Sequence, residues 1–309
     1  MKFKLTISVL FVAFFVASCD KVQHPNPHEF DNQDCKQNNP ILKNNFTVSS
    51  YRKILVEDYT GHYCGNCPTA AVKAESLIAT YGSSVVVLAN HVSDQFAKPN
   101  RDTSSTKFVE DFRNEASTEW DATFGMSSAG LPKGAINRIQ KPTYPQNPGV
   151  WSSLVPIELA KPQSVKLDVS TSYDPGKRIL DVKVKSTFLA NIAADVYVNF
   201  VLTQDSIISD QKDYALPASQ ALDPEDPDRR INYRFDHIVV KSLNGTWGDL
   251  LKKSPAVGDT ASISRTCFSV NKCFYKSLIC INDKQMSLVV FAYNSTTKEI
   301  LQVEKIKIR

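Results

Sequence analysis

Apolar residues follow two different spacings along the chain, and the change falls near residue 160. In the first stretch they form short continuous runs and helical stripes. Ile54-Leu55-Val56 opens a strand-like run through Tyr59, and Ala70, Ala71, Val72, Ala74, Leu77 and Ile78 then read as a helix. Val85 to His91 is apolar almost throughout, as expected of a central strand covered on both faces. Phe108, Phe112, Ala116, Trp120 and Phe124 recur at every fourth residue, which predicts one helical stripe inside an insertion spanning residues 93–130. Trp151 to Ala160 reads as a closing helix despite Pro156.

From Pro162 onward the period becomes two. Val165, Leu167 and Val169 alternate with polar residues, as do Leu180, Val182 and Val184. Val196, Val198, Phe200 and Leu202 repeat the pattern, then Leu288, Val290 and Ala292. With turn signals such as Asp174-Pro175-Gly176 between them, these strands predict an antiparallel β-sandwich of the Ig-like kind over residues 162–309.

The start of the chain belongs to neither pattern. Met1 to Lys4 is basic, Leu5 to Ala17 is almost wholly apolar, and the run ends in Val16-Ala17-Ser18-Cys19. It is too short to span a bilayer comfortably, and small residues before a cysteine read as a lipoprotein cleavage site. The expectation is a signal peptide at 1–18, a lipid on Cys19, and a polar tether at 19–45, rich in Asn, Gln, His and Pro. Removing residues 1–18 takes away Lys2 and Lys4, so the formal charge falls from +4 to +2. That is too little to point to a nucleic-acid partner.

The chemistry lies in Glu57-Asp58-Tyr59-Thr60-Gly61-His62-Tyr63-Cys64-Gly65-Asn66-Cys67-Pro68. A strand leads through a glycine to Cys-x-x-Cys at a helix start, an arrangement suited to dithiol–disulfide exchange. Free N–H groups and the helix dipole favour a thiolate at Cys64, and Cys67 is near enough to close a ring with it. Pro68 is tolerated in the first turn because its missing N–H costs little there. His62 reads first as a solvent-facing loop residue and second as a proton carrier. His91 reads as a hydrogen-bonded residue at a strand edge.

This stretch resembles the thioredoxin-like active site, and specifically the outer-membrane-protein-28-related lipoproteins of bacteria. Gly130-Leu131-Pro132, followed by Lys133-Gly134-Ala135-Ile136, resembles the cis-proline loop that faces the cysteines in such folds. Tyr233 to Val240 and Asn244-Gly245-Thr246-Trp247-Gly248 resemble the lipoprotein family again. The resemblance implies an α/β thioredoxin-like domain over 46–161 and a buried carboxylate six residues before the first cysteine, which is Asp58. It also implies that Leu131 and Pro132 present backbone to a substrate chain. Tyr63 stands where thioredoxins usually carry tryptophan and is a further candidate for substrate contact. Glu57 is the rival carboxylate, because a one-residue change of register would exchange the two faces.

The expected function is thiol–disulfide exchange on exported proteins, with Cys64 attacking and Cys67 resolving, in a lipid-anchored protein of the cell envelope at the outer membrane. No cofactor, metal or nucleic acid enters this reading. The alternative is a binding or adhesion lipoprotein in which Cys64–Cys67 is a fixed structural disulfide. The remaining cysteines, Cys35, Cys267, Cys273 and Cys280, suit structural disulfides in an exported chain, with three pairings open. Their wide spacing argues against zinc. The acidic run from Asp223 to Asp228 reads as a solvated loop, since its prolines leave no ordered calcium-ligand spacing.

Overall fold

The computed structural model describes residues 43–48, 50–102, 104–140, 144–270 and 281–309. Strands β1 (Lys43–Thr47) and β2 (Ile54–Thr60) precede helix α1 (Cys67–Tyr81). They are followed by β3 (Val85–His91), the short α2 (Asp94–Ala97), α3 (Glu115–Phe124), β4 (Lys133–Ile136) and α4 (Trp151–Leu159). Apart from short 3-10 turns, the regular elements described after α4 are all strands. These are β5 (Val165–Asp174), β6 (Ile179–Phe188), β7 (Val196–Gln204), β8 (Ile207–Lys212) and β9 (Arg229–Phe235), then β10 (Ile238–Ser242), β11 (Asp249–Lys252), β12 (Thr260–Ser269), β13 (Met286–Asn294) and β14 (Ile300–Lys307).

The architecture is mixed α/β and mostly antiparallel. An eight-stranded sheet runs β14-β13-β7-β10-β3-β2-β4, with β11 added against β7. A four-stranded sheet runs β1-β5-β6-β12, and β8 and β9 form a separate two-stranded sheet. Within the large sheet β2 runs parallel to β3 and antiparallel to β4, and β10 joins β3 through Ile238 opposite Ala89. Strands from residues 46–161 and from residues 162–309 therefore share one sheet.

Both faces of that sheet are covered, which explains why all seven residues of β2 are buried. Ile54 and Val56 pack with Ala70, Ala74 and Leu77 of α1 and Trp151, Leu154 and Val155 of α4. Leu55 and Tyr59 face the other way, toward Trp120 of α3 and Val289, Phe291 and Tyr293 of β13. A third core lies between the large sheet and the four-stranded one, with Leu167, Val182, Phe200 and Leu288 among its members.

Two patterns differ from the sequence expectation. In β7 and β13 the alternate residues predicted to face solvent are buried as well, because Val201, Val289, Phe291 and Tyr293 pack against Leu55, Tyr59 and Trp120. The every-fourth-residue stripe is helical only from Glu115. Asn114 caps α3 in an extended conformation by accepting the Ser117 N–H, and Phe108 has a φ of 54°, so neither Phe108 nor Phe112 belongs to the helix. Phe112 instead enters the core beneath the four-stranded sheet. Residues 98–114 of the insertion contain no helix among those described. Helix α4 keeps Pro156 in its interior, as the sequence predicts.

Candidate functional site

Strand β2 delivers a tight loop, residues 61–67, onto the start of α1. Gly61 is needed for a close approach, since a Cβ there would lie 2.3 Å from the Phe96 carbonyl oxygen. The Tyr63 N–H donates to that same oxygen at 2.9 Å. Inside the loop the Cys64 N–H donates to Gly61 O at 2.9 Å and the Cys67 N–H to Cys64 O at 3.1 Å. These turns bring the two cysteines together as a disulfide, with Cα atoms 5.3 Å apart. Cys67 is the first residue of α1 and Cys64 lies one turn outside it.

The outer side of the loop is occupied by residues that sequence reasoning did not single out. The Lys212 N–H donates to His62 O at 2.7 Å, and the Tyr214 N–H to Gly65 O at 2.9 Å. Gln211 Nε2 donates to Cys64 O at 3.1 Å. The Tyr214 ring lies directly on Gly65, where an added Cβ would come within 2.6 Å of its atoms. Beneath this strap Cys64 is 3% exposed and Cys67 2%. Nothing in the local sequence of residues 211–214 announces the contact; the glycine between the two cysteines is the one mark of it.

The two candidate carboxylates lie on opposite faces of the sheet. Asp58 shares a cleft of about 360 Å³ with Ala71, Ala74 and Glu75 of α1 and with Tyr233 and His237. Its Oδ1 has no hydrogen-bond partner among the described residues, and burial pushes its pKa up to about 7. Glu57 points into the opposite layer and forms a two-point ion pair with Arg138, at 2.7 and 2.8 Å. The guanidinium is enclosed by the rings of Trp120, Phe124 and Phe291, 5.0 to 5.2 Å away.

The histidines depart from their expected settings. His62 is buried rather than solvent-facing, with Nε2 3.2 Å from Lys98 O. Burial outweighs that hydrogen bond and lowers its pKa to about 4. His91 lies on an interior strand, in edge contact with the rings of Phe112 and Phe235. Among the described residues neither ring nitrogen has a hydrogen-bond partner of good geometry. Burial and the neighbouring His62 lower its pKa to about 3, against the opposing pull of Asp111 and the Ala89 backbone.

The Leu131–Pro132 peptide bond is cis. Lys133 pairs with Tyr59, so Pro132 stands beside the end of β2 from which the cysteine loop departs. Both residues are half-buried, and Leu131 packs with the core that contains Tyr59 and Trp120. Tyr63 is half-buried with its ring centroid 4.6 Å from those of His62 and Phe108. In the acidic loop, Asp223 is held by Lys107 at 2.7 Å and Arg229 at 2.8 Å, cations that already neutralise it. Cys267 is disulfide-bonded. Cys19, Cys35, Cys273 and Cys280 lie outside the described residues.

Comparison with known proteins adds one clear relationship. A family model described as outer membrane protein Omp28 matches residues 118–309, a span that includes the strap but not the cysteine loop. Among solved structures, a protein from Agrobacterium tumefaciens is similar at 15% identity, covering 84% of this chain and 96% of that one, with a TM-score of 0.47. A domain of the outer membrane lipoprotein Omp28 from Porphyromonas gingivalis is similar at 15% identity, covering 47% of this chain and 88% of that one, with a TM-score of 0.28. No curated protein matches.

Proposed function

This chain belongs to the outer membrane protein Omp28 family, and on that premise we propose that it is a cell-envelope lipoprotein whose Cys64–Cys67 pair exchanges disulfides with exported proteins. The observation that carries the reading is the Cys64–Cys67 disulfide at the start of α1, with the buried Asp58 on the strand that delivers its loop and on the face turned to that helix. The strand–loop–helix run from β2 to α1 supports a thioredoxin-like reading of residues 46–161, and the antiparallel β5–β6–β12 ladder supports an Ig-like reading of residues 162–309. Lipid attachment at Cys19 would hold both at the outer membrane.

In the oxidised protein a partner thiolate attacks Cys64 Sγ. The Cys64–Cys67 bond breaks and Cys67 leaves as a thiolate, which takes the proton held by Asp58. A second partner thiol then attacks the mixed disulfide and releases Cys64. The partner dithiol becomes a disulfide, this protein becomes a dithiol, and two electrons have moved. In reverse, Cys64 attacks a partner disulfide and Asp58 takes the Cys67 proton so that Cys67 can resolve the adduct. Relative reduction potentials set the direction. Leu131, Pro132 and Tyr63 are the proposed contacts for the partner chain.

A specific observation favours the second reading, a binding lipoprotein with a fixed disulfide: both cysteines are nearly inaccessible. Against it, a disulfide closing so short a loop adds only about 2 kcal/mol in the chain-entropy account, so it is a poor staple. The deciding experiment uses Cys67→Ser, which removes the resolving thiol. Partner proteins should accumulate on Cys64 as mixed disulfides, and the Cys64→Ser/Cys67→Ser protein should hold none. If Cys67→Ser captures nothing in the cell envelope, exchange is excluded and the disulfide is structural.

A further inference from the structure

We propose that the groove now holding Lys212–Tyr214 is the docking site for a segment of the partner protein that runs from a strand end into a turn, and which reaches Cys64 by taking the place of Tyr214 on Gly65. The proposal rests on the exchange reading and deepens it by naming what the partner must present.

The strap already shows how a polypeptide binds there. Lys212 and Tyr214, two residues apart, direct their N–H groups at His62 O and Gly65 O. Lys212 is the last residue of β8 and Tyr214 the first of a turn closed by the Leu216 N–H on Asp213 O, so the two donors are those of a strand edge running into a turn. Backbone acceptors of this kind are indifferent to side chains, so a strand from another chain can satisfy them equally well. Selectivity comes from the notch at Gly65, which has room for the Tyr214 ring only because no Cβ fills it. Tyr214 remains 60% exposed, so its ring is seated on the loop from one side and wet on the other. Lys212 Nζ pairs with Asp226 at 2.9 Å. The fitting partner segment is therefore a strand end running into a turn, with an aromatic residue at the notch and a basic residue two positions before it.

A docked segment covers Cys64 as the strap does, so the partner's reacting sulfur has to be carried within that segment, and a segment without one protects the disulfide. With the strap seated Cys64 is 3% exposed, and a partner sulfur has no approach to it. The strap begins at the last residue of β8, which among the described residues pairs with β9 alone, so lifting it breaks the Lys212–Arg229 pairing and no ladder of the two larger sheets. Asp213 stays tied to Arg230 at 2.8 Å, which gives the displaced segment an anchor on its own hairpin.

The test follows reduction of Cys64–Cys67 in the full mature chain, by dithiothreitol and by reduced thioredoxin. Tyr214→Ala should accelerate reduction by roughly tenfold, the equivalent of about 1.4 kcal/mol of lost strap closure. Tyr214→Phe should behave as the parent. Gly65→Ala, whose methyl group would push the ring away, should accelerate reduction in the parent but add nothing to Tyr214→Ala. A synthetic peptide of Gln211–Leu216 should slow reduction of the Tyr214→Ala protein, and the same peptide with alanine at its tyrosine should not. Unchanged rates in both Tyr214→Ala and Gly65→Ala would overturn the gate, and a peptide without effect would overturn the docking site. Failure of the exchange reading looks different: reduction is accelerated and the peptide binds, yet Cys67→Ser captures no partner with or without Tyr214→Ala.

Discussion

Glu57 and Arg138 form a two-point ion pair at 2.7 and 2.8 Å with both side chains about 1% exposed, on the sheet face opposite Asp58. Strand pleating separates neighbouring carboxylates into different chemistry: Glu57 is neutralised by a fixed cation, whereas Asp58 is buried and, among the described residues, forms no ion pair. Removing one partner of a buried pair leaves the other uncompensated. Arg138→Met should therefore destabilise the protein by about 3–5 kcal/mol, and Glu57→Gln/Arg138→Met should recover a large part of that loss. Urea unfolding of the three proteins measures both quantities.

His91 is expected to weaken the fold in acid. Its folded pKa of about 3 and that of His62, about 4, lie below the ordinary histidine value, so the fold favours the neutral rings. Their contribution is complete above pH 6.5 and is lost as pH falls toward 4, where the unfolded chain binds the protons. His91→Phe keeps a ring between Phe112 and Phe235 and removes two buried nitrogens that lack a hydrogen bond of good geometry among the described residues. It should raise stability by about 1–3 kcal/mol at pH 7 and by more at pH 5. Thermal unfolding at the two pH values checks the difference; a variant no more stable at pH 5 than at pH 7, relative to parent, would refute it.

Most elements could be read from the sequence because their apolar period matches their packing. The β2 run, the α1 stripe and the β5 and β6 alternation were legible for that reason. Phe108 and Phe112 carried a helical spacing by coincidence, and the extended cap at Asn114 overrides it. The placement of Asp58 was open to a one-residue change of register, and pairing of β2 with both β3 and β4 sets it. The strap was beyond reach, since Lys212 and Tyr214 meet the loop about 150 residues earlier through backbone N–H groups that leave no pattern in sequence.

Anchoring can be tested apart from the folded domain. The basic start, the apolar run and Val16-Ala17-Ser18-Cys19 lead to the expectation of acylation at Cys19. Cys19→Ser should release the protein from membranes or misdirect it, while its unfolding midpoint stays that of the parent. Mass spectrometry showing a mature chain that begins at another residue would refute the anchor.

Asp58 offers the sharpest combination of stability and chemistry. Its folded pKa of about 7 lies above the ordinary value of 3.8, so the fold favours the protonated carboxyl. That preference stabilises the protein below pH 3.8 and is lost as pH rises through 7, above which a buried, unpaired charge costs about 4 kcal/mol. Asp58→Asn removes the cost: it should stabilise the protein by up to about 4 kcal/mol at pH 8 and leave stability unchanged near pH 3.5. The same substitution should slow resolution of the Cys64 mixed disulfide by Cys67 more than its formation, because only resolution needs the Cys67 proton removed. Glu57→Gln should alter stability but not the ratio of the two rates. Rapid-quench measurement of both steps between pH 6 and pH 8 decides the matter, and equal ratios for parent and Asp58→Asn across that range would remove Asp58 from the mechanism while leaving the stability prediction to stand alone.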